Sequence, residues 1–332
     1  MVLVSNVEHV KGLVKRIGIK KTLLKLIRRL ILGQSRLAQR LDVVYHFKKF
    51  FKGHAIVDNI NGFKMHLDLR NDEGISRDLF LFKKREHLSI DFLQNQNFIN
   101  RGSMALDIGG NIGYYALLES SLVGPEGKVY AVEPVSSNLN ILKKNIELNG
   151  VKNINVFKIA MGKEKKNVEI YVSNQSNRSS FIVRSGTVYT KKEKVEMTTV
   201  DDFVSEHKIK PDFIRMDVEG YEKEIIQGMR KTLLDRPKLF IEIHPNEIGR
   251  EELKQMFLTM LESGYGQVTV VERRDQGWMK RNGEIKPVLR YLAWKIEGRE
   301  GLMGMGKVEH LALTELYKRV DGIKDAFCAF IS

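Results

Sequence analysis

The chain has a single cysteine, Cys328, in 332 residues. One thiol cannot form an intrachain disulfide and supplies no cysteine-based metal site, and it fits a reducing compartment. No stretch reaches the roughly 18 uncharged apolar residues that a membrane span requires. The N-terminus lacks the basic, apolar, small-residue order of a signal peptide. Together these absences predict a cytoplasmic protein. Internal repeats and low-complexity tracts are missing too, and a hydrophobic content of 42% with 29% charged residues is that of a soluble globular chain. The length suits one large domain with additions, or two smaller domains.

Acidic residues are scarce at one end only. Residues 1–53 hold 13 Lys and Arg against Glu8 and Asp42, which places +11 of the net +14 there and leaves +3 for the rest. Within that segment Leu23, Leu26, Ile27, Leu30 and Ile31 recur on one helix face, while Lys21, Lys25, Arg28 and Arg29 lie on another. A basic amphipathic helix over residues 11–32 suits an anionic membrane surface. Packing of the apolar face on the domain and contact with a phosphate backbone are the competing readings. Gly33-Gln34-Ser35 divides this helix from a second one, Arg36 to Phe51.

The stretch from Met104 to Pro134 organises the remainder. An apolar run ends in Asp107, then comes Ile108-Gly109-Gly110-Asn111-Ile112-Gly113-Tyr114-Tyr115 and a helical segment to Ser121. A second apolar run, Val129 to Val132, ends in Glu133. This is the strand, glycine loop, helix, strand, acid order of a nucleoside-binding unit. Glycines let the backbone approach a ligand closely. Glu133 lies 20 residues beyond Gly113, the spacing of an acid that binds ribose hydroxyls. The loop lacks the G-x-G-x-x-G of a dinucleotide site, and Asp107 in front of it repels phosphate. A cationic ligand such as the amino group of S-adenosylmethionine suits that acid.

Asp107 to Tyr115, Glu133-Pro134, Met216-Asp217-Val218-Glu219-Gly220 and Glu242-Ile243-His244-Pro245 resemble the FkbM-type methyltransferases. The resemblance runs from about Asp68 to about Pro245. It implies an S-adenosylmethionine-dependent enzyme that methylates hydroxyl oxygens of sugars, polyketides or related metabolites. It also implies an α/β fold, a Rossmann-like seven-stranded sheet with helices on both faces, here with an N-terminal helical extension. Cofactor binding is expected at Asp107, Gly109, Gly110, Asn111, Gly113, Tyr114, Glu133, Pro134, Asn138, Ala160 and Asp217. Gly110 stands where the family usually has alanine. Glu86 falls where these proteins commonly carry an acid, and a solvated helix charge is its other reading.

Along the chain, residues 1–52 are expected as the basic helical extension. Residues 53–100 read as a strand hairpin and helix covering the cofactor site, and 101–332 as the methyltransferase domain. Ala55–Asn59 and Phe63–Leu69 flank the turn signal Asn61-Gly62, and Arg77–Phe98 reads as one helix. A helix from Ser137 to Asn149 and a strand Asn153–Ala160 follow. The 17 residues of the polar stretch 174–190 separate strands at Val168–Ser173 and Val195–Thr199. Loops of that length are usually functional, so this one is a candidate substrate lid with Asn177, Arg178, Ser179 and Ser180. Thr199 or Asp201 caps a helix to His207. Strands are expected at Asp212–Val218, Lys238–His244, Gln267–Arg273 and Leu289–Ile296, helices at Glu251–Ser263 and Glu309–Val320, and a last strand at Ala326–Ile331. Residues 289–296 and 326–331 compete for the edge of the sheet.

Methyl transfer to oxygen needs in-line positioning and removal of the hydroxyl proton, and a general base contributes about 10²–10⁴-fold. Asp217, Glu219 and His244 lie at strand ends where a doubly wound sheet binds ligands, and they are the catalytic candidates. Asp217 and Glu219 share a face on an extended strand, so their field favours a sulfonium and either can take the proton. A divalent cation on Asp217, Glu219 and His244 is an alternative to a metal-free site, which is the reading preferred on sequence. The expected acceptor is a glycan or small-molecule hydroxyl, including a lipid-linked one. A nucleic-acid (RNA) methyltransferase using the basic N-terminus is the alternative. Against it, the fourth strand does not end in the Asn/Asp-Pro-Pro-aromatic run that grips the amino nitrogen of a flipped base. Intact Asp107, Glu133 and Asp217 argue against a silent binding module.

Overall fold

The computed structural model describes residues 53–72, 74–183, 187–272, 307–323 and 326–332. The predicted N-terminal helices, the strand at 289–296 and the glycine-rich connection at 298–306 lie outside these residues. In chain order the elements are β1 (His54–Ile60), β2 (Phe63–Asp68), α1 (Ile75–Phe82), α2 (His87–Asn95), β3 (Met104–Ile108), α3 (Tyr114–Val123), β4 (Lys128–Val132) and α4 (Ser136–Leu148). They continue with β5 (Ile154–Phe157), β6 (Ala160–Met161), β7 (Lys166–Ser173), β8 (Tyr189–Thr198), α5 (Val200–Glu206), β9 (Phe213–Met216), α6 (Glu222–Gln227) and α7 (Arg230–Leu234). Then come β10 (Lys238–Ile243), α8 (Pro245–Ile248), α9 (Arg250–Glu262), β11 (Gln267–Glu272), β12 (Lys307–Ala312), α10 (Leu313–Lys318) and β13 (Ala326–Ile331).

The main sheet has the order β12-β11-β13-β10-β9-β3-β4-β5. Strands β10, β9, β3, β4 and β5 run parallel, and β13, β11 and β12 add antiparallel pairs. The fold class is the expected Rossmann-like α/β, but this sheet has eight strands where seven were expected. The eighth is β12, in a stretch read from sequence as the start of a helix. Its backbone pairs with β11, and only Leu313–Lys318 is helical. Strand β13 lies between β10 and β11, so residues 326–331 are interior and 307–312 form the edge.

Period-two alternation divides the sheet into two unlike faces. Leu106, Ile108, Ile214, Met216, Leu239, Ile241, Ile243, Cys328 and Phe330 pack with Phe203, Ile226, Met256 and Phe257 from α5, α6 and α9. The intervening residues face α2 and α3, where Phe92, Phe98, Phe213, Phe240, Phe327 and Tyr115 form a run of ring contacts 4.9–6.4 Å apart. Each such pair is worth about 0.5–1.5 kcal/mol beyond burial. Asp107, Arg215 and Glu242 have the parity of this second face. Polar side chains are therefore carried into an aromatic layer at the carboxyl ends of the strands.

Two expected elements are broken. The helix predicted over 77–98 is two helices, separated at Lys83 and Glu86, both with positive φ (59° and 50°). The third strand stops at Phe157, and Ala160–Met161 pairs with β8 in a separate sheet of order β6-β8-β7. Strand β8 starts at Tyr189, six residues before expected, because its pairing with β7 is set by backbone bonds and not by the exposed lysines along it. The hairpin β1–β2 turns at Asn61 (φ 50°) and Gly62 (φ 89°), both in the left-handed region that the Asn-Gly signal predicts. Helix α5 is capped by Thr199, whose Oγ1 accepts from the Asp202 N–H at 2.9 Å.

Candidate active site

Strand β3 neighbours both β4 and β9, so the order of strands reverses there and a crevice opens beyond their carboxyl ends. A cavity occupies it. Gly109, Gly110, Asn111, Tyr114, Glu133, Pro134, Asn138, Ala160 and Asp217 all line it. Gly109 has φ 89°, and a Cβ there would stand 2.1 Å from the Asp217 carbonyl oxygen. Glycine is thus required for the ends of β3 and β9 to meet. At Gly110 an added Cβ meets neighbours at 3.4–3.6 Å, which is ordinary contact, so the alanine usual in the family would fit.

Glu133 is buried at the tip of β4. Its Oε2 accepts from the Asn111 N–H (2.9 Å) and its Oε1 from the Val135 N–H (2.8 Å), with Asn138 Nδ2 at 3.4 Å. Burial raises its pKa to about 7 against the pull of these donors. Asn111 reaches it through a left-handed backbone, φ 48°, which asparagine tolerates better than most residues.

Asp107 is placed differently from expectation. It does not line the cavity. Opposite it on β9 stands Arg215, whose Nη1 donates to Asp107 Oδ1 at 2.9 Å and whose Nη2 donates to Asp217 Oδ2 at 3.0 Å. The guanidinium carbon lies 3.8 Å over the Tyr115 ring, and Tyr115 Oη donates to Glu86 Oε2 at 2.7 Å. Burial works against the charge of Arg215, but Asp107 and Asp217 hold it protonated. Arg215 thus pairs with one oxygen of the buried Asp107 carboxylate, and the other, Oδ2, is buried without a hydrogen-bond partner. Gly113 is also set back from the cavity, with φ 90° and packed on Leu142.

Glu86 faces the cavity at the break between α1 and α2. Tyr114 holds that break, its hydroxyl accepting from the Arg85 N–H (3.1 Å) and donating to the Arg85 carbonyl (2.9 Å). Behind Arg215 lies Glu119, fully buried, with neither carboxyl oxygen hydrogen-bonded. Burial and the nearby Asp107 push its pKa well up.

Asp217 and Glu219 line the other half of the cavity with Glu242, Phe181 and Tyr221. Glu219 (φ 56°) and Gly220 (φ 98°) form a left-handed turn, and Ser180 Oγ donates to the Glu219 carbonyl at 3.2 Å. His244 does not line the cavity. Its Nδ1 lies 2.7 Å from Oε1 of the fully buried Glu222. Burial opposes a charge on the ring, but Glu222, Glu242 and Glu219 raise its pKa well above the usual value. His244 therefore stands just outside the cavity lining, held by Glu222 and facing Glu219 and Glu242.

The connection after β7 spans 174–188 and is pinned at several points. Ser176 N–H donates to Asp72 Oδ1 (3.0 Å), and Ser180 pairs with Tyr171 across a bridge. Ser176, Asn177, Ser179, Ser180 and Phe181 line the cavity, while Arg178 does not. Ser176 Oγ, Asn177 Oδ1 and Asp217 Oδ1 are buried without hydrogen-bond partners. Orphaned polar atoms around a glycine cradle fit a polar ligand such as the cofactor.

Three residues escaped the sequence reading. Arg215 is one charge in an apolar strand, and its parity with Asp217 was the available signal. Tyr115 was read only as part of the glycine-loop motif. Glu222 follows Gly220-Tyr221 in a helix that was not foreseen.

A glycine loop at the switch point, an acid at the tip of the next strand and carboxylates facing them define a nucleoside-binding α/β domain. Residues 107–266 match the family model described as the methyltransferase FkbM domain. That match covers 160 of the 332 residues, just under half of the chain, and marks this region as a methyltransferase domain of FkbM type. A protein-L-isoaspartate O-methyltransferase of Methanothrix thermoacetophila is 33% identical over 58 residues, covering 18% of this chain and 28% of that protein. The enzyme of the same name in Methanosarcina mazei is 44% identical over 55 residues, covering 17% and 23%. The chain spans about a quarter of the length of these curated relatives. Aeropyrum pernix fibrillarin with bound S-adenosyl-L-methionine is 14% identical at a TM-score of 0.37, covering 92% of this chain and 86% of that one.

Proposed function

We propose that this protein transfers a methyl group from S-adenosylmethionine to a hydroxyl oxygen of a glycan or related metabolite. One observation carries the reading: a single cavity joins the nucleoside half, Gly109 to Asn111 and Glu133, to a half lined by Glu86, Asp217, Glu219 and Glu242 with Phe181 and Tyr221. Carboxylates accept hydrogen bonds from hydroxyls, and aromatic rings pack on the apolar faces of sugars. The cofactor supplies an electrophilic methyl, whose bond to sulfur breaks, leaving its electron pair there, as the acceptor oxygen bonds to carbon. Glu133 and Asn111 hold the ribose end. Arg215 takes one oxygen of Asp217 and leaves Oδ1 toward the reacting centre. Asp217 and Glu219 set the field for the sulfonium and receive the hydroxyl proton.

Residues 11–32 bring the enzyme to an anionic membrane surface, where a lipid-linked acceptor would be met. This rests on the concentration of +11 in residues 1–53. Incubation of the full chain with labelled S-adenosylmethionine and cell fractions tests the acceptor class. Label in glycan or glycolipid supports the proposal, and label in RNA replaces it with nucleic-acid methylation. Asp217→Asn keeps the shape and loses the charge, and it is expected to lower kcat by about 10²-fold or more with the cofactor saturating. Wild-type turnover by that variant would remove Asp217 from the reaction.

A further inference from the structure

The geometry points to a divalent-cation site between Asp217, Glu242 and His244. One ligand atom of each lies within 4.8 Å of the others. The three residues come from the ends of two adjacent parallel strands, β9 and β10, and thus from a rigid part of the fold. Two carboxylates and an imidazole are the donor types that hold first-row divalent metals, and oxygen in the majority favours Mn²⁺ among them.

A cluster of acids alone would not identify a site. The state of His244 is the independent observation. Its side chain is only 6% exposed, and its sole hydrogen bond is from Nδ1 to Glu222 at 2.7 Å. The other nitrogen, Nε2, lies 3.7 Å from Glu219 Oε2 and 3.9 Å from Glu242 Oε1. Those separations exceed a hydrogen bond. They fall between the roughly 3 Å and 4 Å that separate neighbouring and opposite ligands around one ion with bonds of about 2.1 Å. The second nitrogen of this nearly buried imidazole therefore faces the Glu219 and Glu242 carboxylates beyond hydrogen-bond distance.

Glu222 completes the arrangement. It is fully buried, and its Oε1 also accepts from the Gly220 N–H at 3.1 Å, which fixes it in place. A carboxylate on the far nitrogen of a histidine sets the tautomer and presents the near nitrogen to a metal. Asp217 is organised the same way, with Arg215 on Oδ2 and Oδ1 left without a partner. Both ligands are held by charged groups, Asp217 by Arg215 and His244 by Glu222. The role follows from the proposed methyl transfer, on which it rests. Asp217 and Glu242 line the acceptor half of the cavity, so a cation there orients an acceptor hydroxyl and raises its acidity, and Glu219 is left to take the proton.

The test is binding of Mn²⁺ to the full-length protein, read as loss of the free-ion electron paramagnetic resonance signal. One equivalent is expected to bind the wild type. His244→Gln and Glu242→Gln are expected to abolish it, and Glu222→Gln to weaken it tenfold to a hundredfold. Matching circular dichroism and thermal melts for wild type and variants establish folding, and Glu222→Gln reports on the site where the ligand variants fail to fold. Absence of stoichiometric Mn²⁺ binding by the wild type, or binding unchanged in the folded variants, overturns the assignment. Calorimetry with S-adenosylmethionine on the same samples separates the two proposals. Cofactor binding without Mn²⁺ sinks the metal site alone, whereas Mn²⁺ binding without cofactor sinks the methyl-transfer reading and leaves the site standing.

Discussion

On the proposed function, the buried carboxylate of Glu133 ties cofactor affinity to pH. Its ordinary value of 4.5 is raised to about 7 by burial. Ionised, it accepts from two amide hydrogens and still has lone pairs for ribose hydroxyls, whereas the protonated form gives up part of that capacity. Affinity for S-adenosylmethionine is therefore expected to rise with pH to about 7 and to stay level above it. Below 7 the Kd weakens by up to about tenfold per pH unit. The raised value also means that folding takes up a proton between pH 4.5 and about 7, so Glu133 lowers the stability of the free protein as pH rises through that window. Calorimetry on both sides of pH 7 checks this, with Glu133→Gln expected to show a flat profile, and an equally flat wild type would contradict it. Glu133 was legible because its type, strand-end position and distance from the loop are all local. Arg215 was not, because Asp107 lies 108 residues away and only the register of β3 on β9 makes them partners. The same limit hid the pairing of Asp107, whose arginine partner stands on another strand.

At the scale of elements, the glycine loop and the turn after β9 are built against each other. Gly109→Ala would place a Cβ 2.1 Å from a backbone carbonyl, whereas Gly113→Ala would meet the tip of Leu142 at 2.6 Å. A side-chain tip moves aside and a strand end does not. Both substitutions carry the left-handed strain of about 1–2 kcal/mol. Gly109→Ala is expected to cost at least about 1 kcal/mol more than Gly113→Ala and to abolish cofactor binding. Denaturant melts and cofactor titration measure both, and equal losses would show that β3 and β9 part more easily than their contact suggests. Elements with a strong local signal were predicted closely, among them the Asn-Gly hairpin and the Thr199-capped helix. The failures came where partners decide. Strand β12 carries a leucine and charges that also fit a helix, and its state is set by the backbone of β11. The break between α1 and α2 depends on Tyr114, 29 residues from Arg85.

For the whole molecule, charge is segregated. Residues 1–53 carry +11, and the catalytic body is nearly neutral. Each basic residue near an anionic surface contributes about 1 kcal/mol, and salt screens it. Sedimentation with anionic vesicles is expected to pellet the full chain at low salt and to release it at high salt, with little pelleting on neutral vesicles. Equal, negligible pelleting with both lipids at low salt would rule the membrane out. Among the described residues no helix is long and apolar enough to cross a membrane. The general fold was readable because its parallel core alternates strand and helix, one local pattern after another. The order of the antiparallel strands was not, since β13 pairs with residues 54 and more positions away.

That order also governs how the protein can be made. Strand β13 occupies the place beside β10, and β11 and β12 reach the sheet only through it. While a ribosome is still adding residues 244–325, the row of amide and carbonyl groups along Leu239, Phe240 and Ile241 has no neighbour on that side. Such an uncovered, apolar edge is where nascent chains stick to one another. Assembly of this half of the sheet must therefore follow synthesis of residues 326–331.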